Sequence, residues 1–139
     1  MTITVTFFSN IQSLEKYVDQ TMADTKAALG YHMQQIEDVR KRYDKEKKRY
    51  EGFKKLTKGK SDALKDTKQL EVAGFRILVN PTAEYELTVM EEAISSLQER
   101  LEAFEKTKEL YPAVGDENMK IGMVLNDGIP TGFMFYVQD

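Results

Sequence analysis

The period of the apolar positions changes several times along the chain, and each period names an element. At the amino end Ile3, Val5 and Phe7 alternate with Thr2, Thr4 and Thr6, the two-residue repeat of a half-buried strand over residues 2–8. Ser9 and Asn10 can cap a following helix, with Gln12 three residues after Ser9 as in a capping box. From about residue 10 to about residue 55 the repeat becomes a heptad. Met22, Leu29, Ile36, Tyr43 and Tyr50 recur every seven positions, and Val18, Thr25, His32, Val39, Glu46 and Phe53 form the second series. So narrow a stripe with a 3.5-residue period is a coiled-coil seam rather than a globular helix face. A helix of that extent is roughly 65 Å long at 1.5 Å per residue. A small domain does not cover that length, so a second chain is expected over the remainder.

Residues 56–70, LTKGKSDALKDTKQL, are rich in lysine and interrupted by Gly59, which suits either a loop or a short helix capped by Ser61. Residues 71–79, EVAGFRILV, have the branched and aromatic content of a strand. Asn80, Pro81 and Thr82 end it and open a second helix over about 82–110, where Glu84 and Glu86 sit in the favourable first turn. Leu87, Ile94 and Leu101 give this helix one seam series, and Met90, Leu97 and Phe104 the other. Tyr111-Pro112 stops it. From about residue 119 to 138 the alternation returns, broken by Asp127-Gly128, a strong hairpin turn signal. Pro130 either widens that loop or marks an edge strand. The prediction is one α+β domain over residues 1–139, in the order β-α-β-α-β-β. Its two long amphipathic helices are joined to a small antiparallel sheet of three or four strands.

Composition narrows the chemistry. The chain has no cysteine and one histidine, so disulfides, thiol nucleophiles, sulfur-ligated zinc and multi-histidine metal sites within one chain are excluded. No stretch approaches the ~20 apolar residues of a membrane span, and the amino terminus lacks a signal-peptide pattern, which points to a cytoplasmic protein. The net charge of −3 conceals two blocks of opposite sign. Residues 40–60 hold eleven Lys or Arg against three acids, and residues 71–117 hold eleven acids against four bases. Two antiparallel helices with complementary faces account for such blocks most simply.

Several residues carry possible chemistry. His32, on the seam, suits a register-setting role better than a metal ligand or pH switch. The basic run from Arg40 to Lys60, interleaved with Tyr43, Tyr50 and Phe53, could hold phosphates and stack bases. The heptad spacing places those rings in the core instead, and a pI near 5.3 argues against nucleic acid as a partner. Paired acids such as Glu91-Glu92 lie along a helix exterior, where solvent is their ordinary neighbour; no phosphate loop or hydrolase elbow is present. Arg76 sits in an otherwise apolar strand and is the natural anion-binding candidate. Its strand is expected beside the turn Asn126–Gly132, which is either a plain hairpin loop or a recognition loop.

The opening strand ITVTFF, the long charged helix, the passage FRILVNPTAEYELTVMEEAISSLQERLEAF and the closing hairpin KIGMVLNDGIPTGFMFYV together resemble the phage-encoded Thoeris anti-defence sponges. The likeness lies in the order of elements and carries no residue-by-residue pocket. It implies an oligomer that traps a cyclic ADP-ribose-type immune signal without degrading it.

The functional expectation is a non-enzymatic homo-oligomer that sequesters a small phosphorylated ligand and needs no metal or cofactor. Arg76 and Lys54 would meet phosphate, Phe75 or Tyr136 would stack on a base, and Asn80, Asn126 and Asp127 would bond ribose or base edges. Self-association would run along Met22, Leu29, His32, Ile36, Tyr43, Leu87, Ile94 and Leu101. The alternative is a coiled-coil interaction module, such as an inhibitor docking on a host protein.

Overall fold

A computed structural model describes residues 1–57, 68–115 and 118–137, with side chains left undescribed at 53–57 and 68. The fold is α+β. Its elements are β1 (Ile3–Phe8), α1 (Ile11–Thr57), β2 (Lys68–Val72), β3 (Phe75–Val79), α2 (Ala83–Thr107) with a 3-10 turn at Lys108–Ala113, β4 (Lys120–Asn126) and β5 (Ile129–Tyr136). The order β-α-β-α-β-β holds, the middle β element being a two-stranded hairpin. The expected loop or short helix at 56–70 falls largely on residues 58–67, outside the described residues. Among the described residues no helix is long and apolar enough to cross a membrane.

The chain divides into two compact units where one domain was expected. One comprises Met1–Gly30 with Ser95–Asp139, and the other Tyr31–Ile94. In the first, β1, β4 and β5 form an antiparallel sheet in the order β1-β4-β5. Ile121, Met123 and Leu125 point from β4 into a core shared with Phe8, Leu14, Val18, Met22 and Phe104. The register sets Phe8 opposite Ile121 and Thr6 opposite Met123, so β1 turns Phe8 and the threonine face toward the core. Ile3, Val5 and Phe7 are therefore on the outer face and exposed, the reverse of the expected half-burial. Alternation alone fixes which residues share a face, and here pairing with β4 decides which face is covered.

The β4–β5 connection is a two-residue turn. Asp127 and Gly128 both have positive φ, as a type I′ turn requires, and Asn126 pairs with Ile129. Pro130 stays in the ladder at a register shift on the edge strand, where a missing N–H is tolerated. Asp127 also fastens the amino end of β1: its Oδ1 accepts from the Thr2 N–H at 2.8 Å, and its own N–H donates to the Thr2 carbonyl. Asn10, rather than Ser9, caps α1 by accepting from the Ser13 N–H at 2.8 Å.

The predicted seam of α1 is visible as a burial stripe. Ile11, Leu14, Val18, Met22, Thr25 and Ile36 are buried, while Leu29, His32, Val39, Tyr43, Glu46 and Tyr50 are half-buried. On α2, Ala83 and Phe104 are buried, with Leu87, Ile94 and Leu101 half-buried between them. Part of the covering comes from the same chain. In the first unit Tyr17 and Phe104 pack their rings 6.4 Å apart, and Lys108 approaches Asp19 at 3.9 Å. In the second, Arg42 pairs with Glu86 and the Ala83 N–H donates to Glu46, so the helices there run antiparallel with opposite charges facing. The polar seam position Thr25 is satisfied locally by the Thr21 carbonyl.

Tyr111, in the 3-10 turn, packs on the first core. Burial pushes its phenol above the usual value, the Thr107 hydroxyl pulls it back, and the carboxylates of Asp19, Glu15 and Glu105 add to the rise. An unfolded tyrosine gives up its proton at about pH 10, so this group's contribution to stability is complete below that pH. It is lost as pH rises through the folded value. Urea unfolding between pH 8 and 11 should show a steeper alkaline loss of stability in the wild type than in Tyr111→Phe; identical slopes would refute this assignment.

Candidate functional site

The residues expected to bind a ligand fall in two groups. Phe75, Arg76 and Asn80 belong to the Tyr31–Ile94 unit, as does Lys54, of which only the backbone in the last turns of α1 is described. Asn126, Asp127 and Tyr136 belong to the other unit. The strand of Arg76 does not pair with the strands of the 126–132 turn: β3 hydrogen-bonds to β2 in a sheet of its own, while β4 pairs with β1 and β5. The reason is a second type I′ turn at Ala73 and Gly74, both at positive φ, which folds the expected single strand back on itself.

Arg76 faces Glu71 across the hairpin, donates a hydrogen bond to the Tyr85 hydroxyl and lies with its guanidinium 5.3 Å from that ring's centre. Those contacts hold the hairpin against the start of α2, a structural use of the charge. Phe75 lies on the opposite face of the hairpin and is exposed. Asp127 is committed to its turn and to Thr2, as described above. Tyr136 lies on the outer face of the three-stranded sheet, where the Lys120 ammonium sits 5.1 Å from its ring.

A cleft of about 670 Å³ opens in the second unit between α1 and the start of α2, a size within the ordinary range for ligand pockets. Arg42, Tyr43, Lys47, Arg49 and Tyr50 line it from α1, and Asn80, Pro81 and Thr82 from the loop before α2. Helical spacing gathers these groups, since 42 and 49, like 43 and 50, lie seven residues apart and so on one side. Tyr43 and Tyr50 are half-buried and still line the cleft, so their seam position does not withdraw them from its wall.

Three carboxylates, Glu46, Glu84 and Glu86, balance the three cations. Two of them have assigned partners. Glu86 pairs with Arg42, and Glu46 accepts the Ala83 N–H at 3.0 Å, reaching across from α1 to neutralise the positive end of α2. Thr82 completes the cap by accepting from the Tyr85 N–H. Pro81 therefore precedes the cap rather than opening the first helical turn. Asn80 adopts a positive φ of 55°, a conformation asparagine tolerates, to turn the chain into the cap.

A second depression of about 450 Å³, in the first unit, is lined by Glu99, Glu102 and Glu109 with Lys106 as its one basic group. Its charge suits no phosphate. Among the described residues no three His, Asp or Glu gather as a metal site. Arg42, Lys47 and Arg49 were not singled out from the sequence, although the interleaving of cations with Tyr43 and Tyr50 was the available signal. No protein-family model, curated protein sequence or solved structure matches the chain.

Glu46→Ala removes the carboxylate that accepts the Ala83 N–H at the α2 amino end and should cost about 1 kcal/mol in urea unfolding, as lost caps do. Equal stability of variant and wild type would show that the contact contributes nothing.

Proposed function

We propose that the protein is a non-enzymatic, homo-oligomeric binding protein that sequesters a small phosphorylated nucleotide, of the cyclic ADP-ribose type, in the cleft beside the start of α2. The observation that carries this reading is the gathering of Arg42, Lys47 and Arg49 with Tyr43, Tyr50 and Asn80 around one cavity. Guanidinium groups match phosphate oxygens in bidentate geometry. Tyrosine rings offer a face for a base, and the Asn80 amide and Glu84 carboxylate suit ribose hydroxyls or base edges. Because Glu46 already occupies the α2 amino end, the phosphate would meet the arginine side chains rather than the helix terminus. This moves the anion-binding role from Arg76 to Arg49, whose position about two turns beyond the Arg42–Glu86 pair leaves it facing the same cavity.

A second reading, an interaction module that docks on a host protein, is favoured by the apolar residues that the β2–β3 hairpin exposes. Recovery of one stoichiometric partner from host lysate, together with no nucleotide response, would select it.

Titration calorimetry with a cyclic ADP-ribose-type nucleotide tests the first reading. Binding should be salt-sensitive, the nucleotide should be recovered at unchanged mass, and Arg49→Ala should weaken affinity about 10- to 100-fold, the worth of a charge-assisted hydrogen bond. Phe75→Ala, outside the cleft, should bind as the wild type does. No heat of binding, an altered nucleotide mass, or an unaffected Arg49→Ala would each contradict the reading.

A further inference from the structure

We infer that two copies of this chain associate by laying the β2–β3 hairpin of one on the outer face of the three-stranded sheet of the other, and reciprocally. The inference deepens the self-association proposed above and rests on it. Cross-strand register places Leu70 opposite Ile77 and Val72 opposite Phe75, so these four share one face of the hairpin, together with Val79. All five are exposed, Phe75 by 71% and Val72 by 55%. A two-stranded hairpin is marginal in water unless its apolar face is packed.

The sheet presents the matching deficit. Its outer face carries Ile3, Val5 and Phe7 from β1 and Met134 and Tyr136 from β5, with Ile3 63% and Phe7 52% exposed. Gly122 between them has no side chain, and Met134 and Phe7 close over it: a Cβ there would come within 2.9 and 3.1 Å of them. The result is a continuous apolar platform. Its charged group, Lys120, is laid over the rings of Phe7 and Tyr136 at 4.7 and 5.1 Å.

Area and charge choose between the possible pairings. At 150–250 Å² for a large side chain, each face exposes roughly 450 Å², close to the largest apolar patch of an ordinary monomer. Hairpin on hairpin, or sheet on sheet, would use one face per copy and fall short of the ~800 Å² per partner of a stable interface. Sheet on sheet would also bring two Lys120 ammonium groups into one apolar contact, an uncompensated desolvation. Reciprocal hairpin-on-sheet contact uses both faces of both copies and reaches roughly 900 Å² per copy. It is also closed, whereas a one-way contact would propagate into a filament.

Sedimentation velocity on the full chain without nucleotide tests this with Phe75→Glu on the hairpin and Val5→Lys on the sheet. Both positions are exposed in the single chain, and circular dichroism should show each variant folded. The wild type should sediment as two copies, and each variant alone should lose that species by at least tenfold in affinity. Phe75→Glu combined with Val5→Lys in one chain should regain part of it, because each new carboxylate on a hairpin then meets a new ammonium on the facing sheet in both contacts. Monomeric single variants with a double variant that is no better than either would overturn the hairpin-on-sheet pairing while leaving self-association standing. A variant that dimerises like the wild type would do the same. A monomeric wild type would overturn both and hand the two faces to a different protein.

Discussion

The 47-residue helix α1 carries an apolar stripe along most of its length, and the structure depends on what fills it. Exposed in water, such a stripe would cost more than helix propensity returns, since most helical stability in proteins comes from packing an amphipathic face. Here the same chain supplies packing: Phe8, Phe104 and the inner face of β4 in one unit, and the start of α2 in the other. The Tyr17–Phe104 contact serves one unit, and the Arg42–Glu86 pair with the Glu46 cap serves the other. The acidic and basic blocks of the sequence meet in that second pairing. Exposed ion pairs of this kind add little stability by themselves, and their value lies in selecting the antiparallel register. The cleft beside Tyr43 and Tyr50 follows from the same geometry, because α2 starts there and its first turn must be capped by something.

Filling the helix seam inside one chain changes where a partner can act. The self-association surface expected along Met22, Ile36 and their heptad neighbours is buried or half-buried already. Among the described residues, most of the exposed large apolar side chains are on β-structure, on the hairpin face and the outer sheet face. An oligomer built on these faces leaves the cleft residues of α1 to a ligand, so association and sequestration would draw on different side chains.

Much of the architecture could be read from period alone. The heptad positions of both helices, the strand at 3–8 and the Asp127-Gly128 turn are local patterns with direct geometric consequences. The second hairpin was hidden because Ala73-Gly74 lacks the asparagine or aspartate that usually announces a type I′ turn, and EVAGFRILV is apolar on both sides of it. The inversion of β1 was hidden for another reason. Thr4 and Thr6 look like a solvent face until pairing with β4 turns them toward the core. The candidate site was legible as a composition, cations interleaved with tyrosines, but not as a location. Arg76 stood out as an odd residue in a strand, whereas Arg42 and Arg49 looked like ordinary charges on a helix. Only the position of the α2 start makes them neighbours of Asn80.

Native mass spectrometry of the wild-type protein mixed with a slight excess of a cyclic ADP-ribose-type nucleotide tests the central claim most directly. The account predicts a particle of at least two copies carrying one nucleotide of unchanged mass per copy, with the Arg49→Ala protein giving the same particle without the nucleotide. A bare single chain, or a particle holding a cleaved nucleotide, would contradict it.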